Sequence, residues 1–243
     1  MLVRDAATEL MATTARPRAR RPDLDGGSGA LPLNRKEAEW ERTTPRKIPK
    51  AKWRQLEQYA AEIFQTMGMR LDSPGTRDTP RRFIRALFDA TEGYEGDPKL
   101  VTAFPTECDQ GPDCRISQIV QGPIPFHSIC EHHAFPFFGQ AWIGYIAHER
   151  IIGLSKLTRV VRLYARRFSM QERLGRQVIN ALDGILAAHG VAVYLDAAHL
   201  CMQMRGVREQ EATTRTTFWR GAYESDEQLR NEFLKLCHTG NEH

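Results

Sequence analysis

The chain has 243 residues, 41% of them hydrophobic and 26% charged, as expected for one soluble globular domain with additional segments. Its net charge of +4 is unevenly placed, since residues 1–52 hold 12 Lys/Arg against 7 Asp/Glu and the remainder 22 against 23. The body thus offers no basic nucleic-acid surface, and no window approaches the ~18 apolar residues of a membrane span. Five irregularly spaced cysteines argue for a reducing compartment, the cytoplasm, over a disulfide scaffold.

Residues 1–48, rich in Arg, Pro, Gly and Thr around Asp25-Gly26-Gly27-Ser28-Gly29, read as a disordered basic tail, and no apolar core marks a secretory signal there. Residues 49–243 form the expected folded domain, which opens with a helical hairpin. Trp53, Leu56, Tyr59, Ala60, Ile63 and Phe64 recur at helical spacing up to Gly68. Asp78-Thr79-Pro80 then opens a second helix, as cap and first-turn proline, carrying Phe83, Ile84, Leu87 and Phe88. Residues 95–113 are rich in turn formers, and alternation predicts strands near 115–122 and 138–146. Helices are expected over 155–167 and 170–188, strands over 191–204 and 211–219, and a last helix over 226–236. Such blocks of helices and strands indicate an α+β fold with an antiparallel sheet.

The chemistry centres on Cys130-Glu131-His132-His133, answered about 70 residues later by His199-Leu200-Cys201. Two thiolates and several imidazoles on two segments suit a transition metal, zinc above all. Cys130 and His133, three apart, meet across one helical turn or tight loop. His199 and Cys201, two apart in a β-like run, would share one face of a strand. Three protein ligands leave a fourth position for water, whereas a closed structural site would take a fourth ligand from His199, Cys108 or Cys114. Spacing alone does not choose between them.

Three further groups have a functional and a plain structural reading. Gly153-Leu154-Ser155-Lys156-Leu157-Thr158-Arg159 at a helix start is either an anion site or an ordinary capped helix with a basic face. Arg205 offers a bidentate cation for phosphate, or is a surface arginine. Ser169-Met170-Gln171-Glu172 matches a capping box, while a carboxylate beside a glutamine would also suit the donor edge of guanine.

Taken together, Phe126-His127-Ser128-Ile129-Cys130-Glu131-His132-His133, Phe137-Phe138-Gly139, Gly144-Tyr145-Ile146, Ile152-Gly153-Leu154-Ser155-Lys156-Leu157, Gln171-Glu172-Arg173-Leu174 and His199-Leu200-Cys201-Met202 with Arg205-Gly206 strongly resemble GTP cyclohydrolase I, over about residues 50–237. That resemblance implies a zinc-dependent hydrolase converting GTP and water to 7,8-dihydroneopterin triphosphate and formate. It implies Cys130, His133 and Cys201 as zinc ligands, with metal-activated water attacking C8 of guanine, and His132 and His199 as proton-transfer groups. Gln171 and Glu172 would read guanine, while Ser155, Lys156, Arg159 and Arg205 would hold the triphosphate. Glu131 is expected to support the site and not to bind the metal. The implied fold is the T-fold, its subunits closing into a toroidal homodecamer with sites at subunit interfaces. Against the family pattern, Thr213-Thr214-Arg215-Thr216-Thr217-Phe218-Trp219-Arg220 is unusually bulky.

A zinc nucleoside deaminase is the nearest different chemistry, but the chain has no Cys-x-x-Cys. A family member serving another pterin or deazapurine pathway would share the same residues. A zinc-stabilised binding module would not require the paired histidines and the cationic set.

Overall fold

The computed structural model describes residues 45–101, 104–105, 118–148 and 150–238. Most of the stretch expected as a tail, and Cys108 and Cys114, lie outside these residues. Arg46, which falls within that expected tail, packs onto the following hairpin. Its guanidinium lies 4.1 Å from the centre of the Phe88 ring and donates to Thr91 Oγ1 and the Phe88 carbonyl, both at 2.8 Å.

Helices α1 (Lys50–Thr66) and α2 (Thr79–Ala90) form the expected hairpin. The ring pairs Trp53–Phe88 and Phe64–Phe83, each 5.2 Å between centroids, join the start of one helix to the end of the other, so the two run antiparallel. Asp78 occupies the N-cap of α2 but its side chain makes no capping bond, and Pro80 sits in the first turn.

A two-stranded ribbon pairs β1 (Phe104–Pro105) with β4 (Arg150–Ile151). The main sheet has the order β5-β2-β3-β6-β7, with β2 (Gln118–Cys130), β3 (Pro136–Ile146), β5 (Phe168–Ser169), β6 (Gly190–His199) and β7 (Thr213–Gly221). All neighbours are antiparallel except the short parallel contact of β5 with the end of β2. Two of the strand expectations need correcting. β2 continues to Cys130 past a register shift between Gln121 and Ile124, where Gly122 leaves room for the Trp142 ring. Its prolines hid that continuation, because proline within a run argues against a strand. The strand expected over 191–204 stops at His199, and Leu200–Gln203 turn into the short helix α5. His199 and Cys201 therefore do not share one strand face.

Both sheet faces are covered, so residues 141–145 of β3 are all buried. One face packs against α3 (Leu154–Ala165) and α4 (Gln171–Leu186), whose Leu157, Val160, Val161, Leu174, Val178 and Leu182 are fully buried. The other receives α6 (Ala222–Ser225) and α7 (Glu227–His238), with Tyr223, Phe233 and Cys237 against Trp142 and Tyr194. The bulky run in β7 fits because Gly175 leaves space for Phe218, whose ring lies 2.0 Å from where a Cβ would stand, while Trp219 stacks on Tyr223. The mixed α+β class and antiparallel sheet are those expected. No helix among the described residues is long and apolar enough to cross a membrane.

Candidate functional site

β2 delivers Cys130 to the end of the sheet, and a tight turn follows. The Cys130 amide donates to the Phe135 carbonyl and the Ala134 amide to the Cys130 carbonyl, each at 2.8 Å, with Ala134 at φ 55. The turn is tied down where the Glu131 amide donates to the Ser169 carbonyl at 3.0 Å, and it raises His132 and His133 into exposed positions. Their Nδ1 atoms lie 4.0 and 3.9 Å from Cys130 Sγ. Two strands away, β6 ends at His199 opposite Phe137, and α5 carries Cys201 back over the sheet end.

Donor atoms of Cys130, His133 and Cys201 thus all fall within 4.8 Å of one another, with both cysteines buried. The donor set fits a divalent, thiophilic cation. Burial first, and then the neighbouring Cys130, push the Cys201 thiol up, with Arg205 partly opposing. A cation is what would let two crowded thiols ionise together. His199 is not in this group.

Around it the chain gathers most of the remaining expected residues. His199 is half-buried, its ring parallel to Phe137 at 4.7 Å. Burial pushes its pKa below the ordinary imidazole value, with the nearby Glu172 carboxylate pulling the other way. Glu172 is exposed in the first turn of α4. The capping box that would have occupied it does not form, because Met170 is the N-cap and Ser169 Oγ donates to the Met170 carbonyl. Gln171 is buried at 2% exposure. Its Nε2 donates to the Thr214 carbonyl at 2.8 Å and Thr216 Oγ1 at 3.1 Å, with a longer approach to the Leu195 carbonyl, and its Oε1 meets His199 Nε2 at 2.9 Å. Its side chain is thus engaged within the chain.

Ser155, Lys156 and Arg159 are elsewhere. α3 begins beside Gln121, whose Nε2 donates to Thr158 Oγ1, whereas the segment after α3 reaches Ile129, whose amide donates to the Arg167 carbonyl. Nine residue steps along β2 separate Gln121 from Cys130, roughly 25–30 Å, a distance longer than a nucleoside triphosphate. Ser155 and Arg159 line their own cleft of about 590 Å³ with Glu92, Glu95 and Asp97, and Arg159 pairs with Asp97 at 3.2 Å. Gly153 is the N-cap of α3, and Ser155 is the second residue of the helix.

Sequence reading missed Arg173, which clasps Glu131 with both guanidinium nitrogens, and Phe137, Thr214 and Thr216, which fix His199 and Gln171. Arg173 follows Glu172 directly, but nothing along the chain shows that α4 lies beside the turn.

Residues 56–238 match the sequence model of the family described as GTP cyclohydrolase I. A GTP cyclohydrolase 1 of Deinococcus radiodurans is 40% identical over 179 residues, covering 74% of this chain and 81% of its own. Those of Alkalilimnicola ehrlichii and Latilactobacillus sakei are each 38% identical, over 73% and 75% of this chain and 94% and 95% of theirs. Matching the family over most of its described length, the chain belongs to the GTP cyclohydrolase I family.

Proposed function

We propose that this chain is a zinc-dependent GTP cyclohydrolase I, a hydrolase of cyclic amidine C–N bonds. It takes GTP and water to 7,8-dihydroneopterin triphosphate and formate, the first step of folate and pterin biosynthesis, in the cytoplasm. The observation that carries this reading is the convergence of the Cys130–His133–Cys201 donor group with His132, His199 and Glu172 at one end of the sheet. Those three ligands would hold zinc, whose contribution when bound is Lewis acidity that brings the pKa of water toward neutrality.

His132, exposed on the turn, and His199, held at the end of β6, are the groups that move protons as the imidazole ring opens and the ribose rearranges. Of the pair expected to read guanine, Glu172 presents an exposed carboxylate to the ring N–H and amino group, and Gln171 supports it from the buried side.

Arg205 belongs to the zinc end and faces the triphosphate from there. Ser155, Lys156 and Arg159 complete the triphosphate site only from a second copy, because their own Cys130 is too distant. A ring-shaped homo-oligomer, a face-to-face decamer with sites between subunits, supplies that copy. It also occupies the long edge of β2, which β5 covers only at Ile129 and Cys130 among the described residues.

Incubating zinc-loaded protein with GTP while following formate and pterin absorbance tests the reading. Both signals, abolished by a chelator, are expected, and formate without pterin would mean ring opening without rearrangement. Zinc bound at one per chain with neither signal would overturn the assignment.

A further inference from the structure

The segment from Glu92 to Asp97 is laid against α3. Gly93 allows the contact, since a Cβ there would stand 2.0 Å from the Leu163 carbonyl oxygen. Its amide donates to the Arg166 carbonyl and its carbonyl accepts from Arg167 Nε, each at 2.9 Å. Gly96, at φ 78, then turns the chain, and Asp97 meets Arg159. Arg159, Arg162 and Arg166 follow one another at three- and four-residue spacing, so all three line the cleft on one side of the helix. Each carboxylate of the segment is matched by an arginine: Glu92 by Arg166, Glu95 by Arg46 at 3.1 Å, and Asp97 by Arg159 at 3.2 Å.

Only the last of these pairs includes a residue assigned to the triphosphate. The Asp97 carboxylate is itself fixed, because Oδ1 accepts from the Lys99 amide at 3.0 Å and Oδ2 is left to Arg159. Arg159 gives it one N–H, from Nη1, and the other four have no partner among the described residues. A guanidinium held by one corner keeps its remaining N–H groups for phosphate oxygens, and a side chain ordered beforehand costs less to order on binding. We infer that Asp97 is a positioning residue that holds Arg159 in the cleft for the triphosphate, and so sets affinity for the charged end of the substrate without touching it. Its own charge opposes a phosphate, but that charge is matched by Arg159 and shared with the Lys99 amide, so positioning outweighs repulsion.

The inference rests on the proposed placement of Arg159 in the triphosphate site, and its test separates the two. Inorganic tripolyphosphate is the probe, titrated calorimetrically into zinc-loaded full-length protein, beside KM and kcat for GTP. Asp97→Asn keeps an oxygen to accept from the Lys99 amide and turns a donor toward Arg159. We expect tripolyphosphate to bind about three- to five-fold more weakly, the scale of one partly exposed charged pair. KM should rise by the same factor with kcat within about two-fold, as for an interaction made equally in ground and transition states. Asp97→Ser, too short to reach Arg159 but able to cap the same amide, should do the same, and it supplies the answer if Asp97→Asn does not fold.

Arg159→Ala alone should weaken both by about 10–100-fold, the scale of lost charge-assisted hydrogen bonds. On that background Asp97→Asn should have no further effect. The same loss in both backgrounds would mean that Asp97 acts on the fold and not through Arg159, and overturns the inference. Tighter binding by Asp97→Asn overturns it too, since the carboxylate would then be only a repulsive neighbour. An Arg159→Ala protein that binds tripolyphosphate and GTP as the parent does would remove Arg159 from the triphosphate site, and the inference with it. A loss from Arg159→Ala with no change from Asp97→Asn removes the inference alone.

Discussion

Arg173 on α4 clasps Glu131, the residue between Cys130 and the histidine pair, so the turn bearing two candidate ligands is fastened to the helix bearing Glu172. Arg173 Nη2 lies 3.0 Å from Glu131 Oε1, and Nη1 meets the other carboxylate oxygen. The pair is partly exposed, with side-chain exposures of 46% and 26%, so its worth is at most about 1 kcal/mol. Glu131→Gln should therefore weaken zinc binding by roughly five-fold, measured by competition with a chromophoric chelator, and should leave the fold intact. An unchanged affinity would show the turn to be held by its backbone bonds alone.

Loss of a ligand and loss of a proton carrier should separate cleanly. Cys201→Ser is expected to lose both zinc and formate release. His199→Ala is expected to keep zinc at one per chain while turnover falls by about 10²–10⁴-fold, the range of a general acid–base group. Metal content measured on both proteins checks the assignment, and zinc lost from His199→Ala would contradict it.

Gly139 in β3 lies against the backbone of β6. A Cβ there would stand 1.9 Å from the Asp196 carbonyl oxygen and 2.6 Å from Ala197 Cα, atoms that cannot swing aside. Gly139→Ala should destabilise the protein by about 3 kcal/mol, the upper part of the usual overpacking range, seen as a lower midpoint in denaturant unfolding. Because the neighbouring Phe137 carries the His199 ring, activity at low temperature should fall as well.

Burial pushes the Cys237 thiol up to about 12, from an ordinary value of 9.0. The unfolded chain then loses this proton near pH 9 while the folded one keeps it, so the native state binds more protons and stability falls as pH rises from 9 toward 12. At pH 10 the cost is about 1 kcal/mol. Tyr223, also raised by burial, acts in the same direction above pH 10. Thermal unfolding at pH 8 and pH 10 should show a smaller drop for Cys237→Ala than for the parent protein. In the folded protein at pH 8, peptide mapping should find Cys237 unalkylated by iodoacetamide.

The helical hairpin was legible because Trp53, Phe64, Phe83 and Phe88 repeat at helical spacing, and that spacing is a local property. The candidate ligands were legible because cysteines and histidines are chemically unusual wherever they fall. Elsewhere local signals competed and the wrong one was favoured. Ser169 and Glu172 have the spacing of a capping box, yet Ser169 is drawn into β5, which shifts the cap to Met170. His199 and Cys201 read as one strand until the chain turns into α5.

By itself the sequence determined which chemistry the chain can hold: two thiols, an imidazole pair and a carboxylate beside a glutamine, in an order and spacing that resemble one enzyme family. Only the tertiary structure decided how those groups are used. Strand pairing sets Phe137 opposite His199, and the ends of β2 and β6 bring Cys130 within reach of Cys201 across about 70 residues of chain. The same packing places Ser155 and Arg159 at the far end of β2. Sequence spacing carries no information about such separations, because they arise from the register of strands and the direction of helices laid across them.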